Sequence, residues 1–191
     1  MPIFSELRNE CLIRELCREL NTDVLLFGFD GFTYFGRLQG IEDGRVALLS
    51  AAVEADTSDV EILTPGGELQ TTKFLWVDLW QVVAKGTGIV NDPIANSVDA
   101  VLQTATEPER QESRDLICQL RRMVGDCVTL TTLGGFLFEG ILGAVDDDLA
   151  IITVEDIFVP GTSSSISDDD VRTAVINLNA LTSVSSTASC S

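Results

Sequence analysis

The sequence predicts a mainly β protein with short helices: two tandem small barrels, each an N-terminal helix followed by five bent antiparallel strands. Three observations carry this. The chain repeats itself at an offset of 104 residues. In each copy the apolar pattern changes from a helical period to a strand period. Glycines recur at the same turns and mid-strand positions. The phrase "DGFTYFGRLQGIEDGRVAL" (30–48) returns as "GGFLFEGILGAVDDDLAII" (134–152). From Leu12/Leu116 to Ser50/Val154 the copies align without a gap, through Leu16/Leu120, Val24/Val128, Gly31/Gly135, Gly36/Gly140 and Leu38/Leu142. A second match, "WVDLWQVV" (76–83) against "VINLNALT" (175–182), closes each repeat at an offset of 99, so the intervening loops differ in length.

The first repeat opens with a helix whose buried stripe is Ile13, Leu16, Cys17 and Leu20, and Asn21 is placed to stop it. In the second repeat "TEPE" (106–109) forms a capping box, Thr106 accepting from the backbone N–H of Glu109, and Pro108 is tolerated in the first turn. Leu116, Leu120, Met123 and Val124 make its stripe, and Gly125 ends it. Then come the strands. "TDVLLFGF", a turn at "DG", the long "FTYFGRLQGIE", a second "DG" turn and "RVALLSAAVE" correspond to "DCVTLTTL", "GG", "FLFEGILGAVD", "DD" and "LAIITVE". Gly36 and Gly140 interrupt the long strands, where a glycine marks a sharp bend or a close backbone approach. A strand bent in its middle curls a small sheet toward a barrel. Each repeat ends in two short strands, "TTKFLWV" with "WQVVAK" and "RTAVIN" with "ALTSVS".

The expected organisation is a first unit over 1–85, a linker over 86–105 rich at its start in Gly, Pro, Asn and Asp, a second unit over 106–185, and a tail over 186–191. Separate sheets are expected in the two repeats, with an edge of one free to pair with an edge of the other.

Composition narrows the function. The chain has 191 residues, 45% of them hydrophobic, so there is material for a core. Its formal charge of −18 offers no basic field for a polyanion. It has no histidine, which removes the commonest general base and metal ligand near neutral pH. The five cysteines (Cys11, Cys17, Cys118, Cys127, Cys190) include no Cys-x-x-Cys, so buried, reduced thiols in a cytoplasmic protein are expected, without a zinc site. "MPIFSELRNE" lacks the pattern of a secretory signal, and no apolar run is long enough to span a membrane.

One helix followed by five short, bent strands resembles the Sm-like fold, a relative in shape of other small SH3-like barrels. In the first Sm motif a strand glycine is followed by Leu two places on and an acidic residue six places on. Gly36, Leu38 and Glu42 match it, as do Gly140, Leu142 and Asp146. RNA-binding members carry an Asn ten places after the glycine and an Arg-Gly pair in the last hairpin. Here those positions hold Val46 and Ala150, and Asp78-Leu79 and Asn177-Leu178. Val and Ala cannot hydrogen-bond a base edge, and Asp repels phosphate. The resemblance therefore implies assembly rather than uridine binding: Sm-like domains join edge to edge through their last strands, often as closed rings. Two repeats paired within a chain leave one free edge at each end, and three chains would close a ring of six barrels.

Among other features, the acidic runs "VDDDL" (145–149) and "SDDDV" (167–171) lack the spaced ligands of a calcium loop and are expected as a turn and a solvated loop. Strand alternation places Phe32, Tyr34 and Trp76 inward and Phe35 and Trp80 outward. Phe35, Trp80, Val82 and Leu181 are the expected partner-binding residues, with the joints at 80–83 and 180–184. Serines abound, but no nucleophile constellation accompanies them. The expectation is a non-enzymatic structural or scaffolding protein without cofactor or metal, a homo-oligomer that also binds a protein partner. Its acidic, histidine-free character resembles that of small Sm-like proteins of spore-forming bacteria. The alternative is an atypical Sm-like RNA-binding protein.

Overall fold

The computed structural model describes residues 9–94, 113–146, 148–186 and 190. The capping box at 106–109, most of the expected linker and most of the tail lie outside the described residues.

Helix α1 (Glu10–Cys17) buries Leu12, Ile13 and Leu16; Cys17 and Leu20, expected in that stripe, are exposed. Asn21 follows at φ 64°, and its N–H reaches the Leu38 carbonyl at 2.8 Å. The second repeat reproduces this. Helix α2 (Ser113–Arg122) is followed by Gly125 at φ 95°, whose N–H reaches the Leu142 carbonyl at 2.8 Å. Both stops use the left-handed region, which Gly and Asn tolerate best.

The strands of the first repeat are β1 (Asp23–Gly28), β2 (Thr33–Glu42), β3 (Val46–Ser50), β4 (Val60–Leu63), β5 (Leu69–Thr72), β6 (Leu75–Asp78) and β7 (Val82–Ile89). Those of the second are β8 (Cys127–Thr132), β9 (Leu137–Asp146), β10 (Leu149–Phe158), β11 (Ile166–Ser167), β12 (Val171–Asn177) and β13 (Leu181–Ser186). All pairings are antiparallel. The order within the first repeat is β7-β1-β2-β3-β6 and within the second β13-β8-β9-β10-β12. The two orders correspond strand for strand.

The copies differ in several places, among them the connection after β4 and β10, where the four-residue β5 stands against the two-residue β11. The gapless alignment slips by one residue at a turn: residues 43–45 separate Glu42 from its partner Val46, whereas only 147 and Asp148 separate Asp146 from Leu149. The continuous β10 is matched by two strands, β3 and β4, because the segment between Ser50 and Val60 is inserted. Asp23 holds that insertion. Its carboxylate accepts from the N–H groups of Val53 (2.9 Å) and Ala55 (3.0 Å), and its own N–H donates to Glu54 (3.0 Å).

The expectation of separate sheets is corrected. One 13-stranded sheet runs through both repeats, joined where β7 pairs with β12. For this, β7 extends to Ile89, past the boundary expected at residue 85. The repeats also share a core. Phe27 lies 5.1 Å from Phe136 and 5.3 Å from Phe138, ring centre to ring centre, both edge-on. Every residue of β1 is buried: Val24 and Leu26 pack under α1, and Leu25 and Phe27 in the shared core.

Candidate functional site

Two surfaces follow from this topology: the joint between the repeats and the outer edges of the strands at the two ends of the sheet.

At the joint, Thr173 pairs with Thr87, Ala174 with Gly86, Val175 with Lys85 and Ile176 with Ala84. Helix α1 lies across it, since Leu12, Ile13 and Leu16 pack in one cluster with Val82 of β7 and Val175 of β12. Glycine at 86 permits the close approach, because a Cβ there would lie 3.0 Å from Val171 and 3.2 Å from Leu25. The fully buried Asn9 locks the arrangement. Its amide donates to the carbonyls of Leu79 (2.6 Å) and Val82 (2.8 Å), and its oxygen accepts from the amide of Asn177 across the joint. Lys85 is also buried here, 3.5 Å from Glu19. Burial holds its ammonium below the usual lysine range, against the pull of Glu19 and Glu15.

Among the described residues the main strand order ends at β6 and β13, each paired on one side only, as are β5 and β11 off that order. By the repeat they correspond to the two partners in the joint: β6 to β12, and β13 to β7. The β6 end carries Phe74 and Trp76, each 57% exposed. The β13 end lies under α2, where Ile117, Met123 and Val184 are partly buried against the shared core. Val184 stands where Lys85 stands in the joint, and Met123 where Glu19 does. The ion pair of the internal joint thus has an apolar counterpart at the end.

The expected partner-binding residues fare differently. Phe35 is 0% exposed, in the shared core, so its outward placement is corrected. Alternation assumes one wet face, and the face on which Phe35 lies is instead buried in the cluster the two repeats share. Val82 and Leu181 begin β7 and β13 but are buried among core side chains. Trp80 is half-buried. It lines a cleft of about 420 Å³ with Glu10, Ile13, Asp43, Gly44 and Arg45. Trp76, expected inward, faces out: Val77 on the other face of β6, and Leu79 in the turn after it, pack in the cluster with α1 instead. The Phe74/Trp76 spacing was the sequence signal for this edge, and the bulk of the rings obscured it.

In the cleft, Arg45 donates to both oxygens of Asp78 (3.1 and 2.9 Å) and lies 5.9 Å from the Trp80 ring. That hydrogen bond holds the Asp78 carboxyl below its usual range. Asp78 also caps the short 3-10 turn at Leu79–Gln81 by accepting from the Trp80 N–H at 3.1 Å. Ala150 is fully buried and Asn177 is bonded to Asn9, so neither presents a polar group to a base. In the second acidic run Asp170 is buried rather than solvated. Its N–H donates to Ser167 and its carbonyl accepts from Val90.

The cysteines require a further correction. Cys127 and Cys190, 63 residues apart, form a disulfide with a Cα–Cα distance of 5.6 Å. Cys17 and Cys118 are exposed and Cys11 half-buried, so a set of buried, reduced thiols is not what the fold presents. Among the described residues no helix is long and apolar enough to cross a membrane.

No protein-family model matches the chain, and no curated protein does. Among solved structures it is similar to the Sm protein of Pyrococcus abyssii in complex with a uridine heptamer, with 24% identity over 41% of this chain and 94% of that one and a TM-score of 0.30. It is also similar to a novel Sm-like archaeal protein from Pyrobaculum aerophilum, with 12% identity over 84% of each chain and a TM-score of 0.29.

Proposed function

We propose that this chain is a non-enzymatic scaffold of two Sm-like barrels that assembles with copies of itself, β6 of one chain pairing with β13 of the next. The observation that carries this is the internal joint. The chain already pairs one copy of each of these two strand types, β12 with β7, and leaves the outer edge of the other copy of each open at opposite ends of the strand order. Unpaired strand edges are templates for pairing. Head-to-tail use of one interface closes a ring when the rotation permits, and three chains would supply six barrels. The acidic surface and the engagement of Asp78 and Asn177 with protein groups favour protein partners over RNA. Light scattering over a range of protein and salt concentrations tests the proposal, with an oligo-uridine gel-shift titration as a second arm. Assembly without RNA binding is expected. A monomer at every concentration, or tight and salt-sensitive oligo-uridine binding, overturns it.

A further inference from the structure

Asp23 of the first repeat and Cys127 of the second occupy the same place, the first residue of the first strand: Asp23 pairs with Arg37, and Cys127 with the equivalent Ile141. In the first repeat the inserted segment 51–59 fills the space above Asp23, and its backbone N–H groups take up the carboxylate. The second repeat has no insertion. Three other groups converge there instead: the sulfurs of Cys127 and Cys190 and a carboxylate oxygen of Glu155, all within 4.8 Å of one another and all half-buried. Glu155 is aimed by a bulge. The register passes from Val154 opposite Gly140 to Asp156 opposite Glu139, so Glu155 is the extra residue, and bulges of this kind re-aim a side chain. In the oxidised chain the two sulfurs are joined. A disulfide is neutral and gains nothing from an acidic neighbour, whereas two thiolates and a carboxylate together call for a cation.

We propose that Cys127, Cys190 and Glu155 form a redox-gated site for one divalent, thiolate-seeking metal ion of the zinc class. Reduction by a dithiol breaks the S–S bond. Two electrons and two protons pass to the cysteines, and the dithiol closes to its own disulfide. Binding of the ion then releases the two thiol protons, leaving two thiolates and one carboxylate around a 2+ charge. Three protein ligands leave a fourth, tetrahedral position for water, as in open zinc sites. In either state the chain beyond β13 is fastened to the start of β8, so the ion would replace the disulfide as the clasp on the terminal edge strand.

Cobalt(II) is the probe. The full chain carrying Cys11→Ser, Cys17→Ser and Cys118→Ser is reduced with dithiothreitol, desalted under nitrogen and titrated. One equivalent should bring up thiolate-to-cobalt charge-transfer absorption and the intense visible bands of a four-coordinate ion, and zinc should displace it. The oxidised chain should show neither, and Cys190→Ser, beyond the last strand, should lose the charge-transfer bands. Because loss of outer-shell partners alone costs about 10–100-fold in metal affinity, Glu155→Gln should weaken binding by at least about tenfold. Absence of the bands in the reduced chain overturns the site, as does an affinity unchanged by Glu155→Gln.

Discussion

Two buried ionisable groups set the residue-scale behaviour. Burial, then the hydrogen bond and charge of Asp92, push the Glu61 carboxyl up to about 8 from an ordinary 4.5. Between those values the folded chain holds a proton that the unfolded chain gives up. Stability should therefore fall as pH rises through this window and level off above about 8. Melting temperatures measured across the window should show the fall, and Glu61→Gln should flatten it. Lys85 makes the opposite point about pairing. Its ammonium is buried with Glu19 as its nearest anion. Glu19→Gln should cost about 1–3 kcal/mol in urea unfolding, because the buried cation is left with only the pull of Glu15. Lys85→Met, which removes the buried charge itself, should be neutral or stabilising.

At the scale of elements, the long strands depend on glycines whose role was visible in the sequence. A Cβ on Gly140 would lie 2.0 Å from the Thr153 carbonyl oxygen, and on Gly36 2.5 Å from that of Ser50. Gly40, in the same strand as Gly36, has open space around it. Gly140→Ala should thus cost about 2–4 kcal/mol, while Gly40→Ala should gain a few tenths up to about 1 kcal/mol from the lower chain entropy of alanine. Chemical denaturation of the two variants separates a close approach from a merely extended glycine. What the sequence made legible was the local rule: helix stop, tight turn, bent strand, twice over. It could not show that Phe35 is buried in the core the two repeats share, since alternation reports two faces and not what lies against each. Nor could it show that Cys127 meets Cys190, because no spacing rule links cysteines at opposite ends of a β unit. The one-residue difference at the 43–45 turn was hidden because the flanking residues align equally well across it.

For the whole molecule, the decisive quantity is the balance between the open edges of β6 and β13 and a charge of −18 per chain. Like charges on approaching copies repel, and salt screens them over about 10 Å at 0.1 M. Assembly should therefore strengthen as ionic strength rises, the reverse of an interface held by ion pairs. The internal joint also fixes the register. Val175 faces Lys85 there, and by the repeat Trp76 of one chain should face Val184 of the next, with Val77 opposite Ser183 and Leu75 opposite Ser185. Trp76 would then leave water for the apolar surface of Ile117, Met123 and Val184 under α2. A slip of one residue would turn the ring to the other face. Directly opposite Cα atoms in an antiparallel pair lie about 4.5–5.5 Å apart, within disulfide range. In a chain with Cys11, Cys17 and Cys118 replaced by serine, the pair Trp76→Cys and Val184→Cys should give an intermolecular cross-link on mild oxidation at high salt. The slipped pair Trp76→Cys and Ser185→Cys should not. Equal cross-linking of both pairs would mean that the edges meet without a register, and a chain that cross-links through neither does not join at β6 and β13.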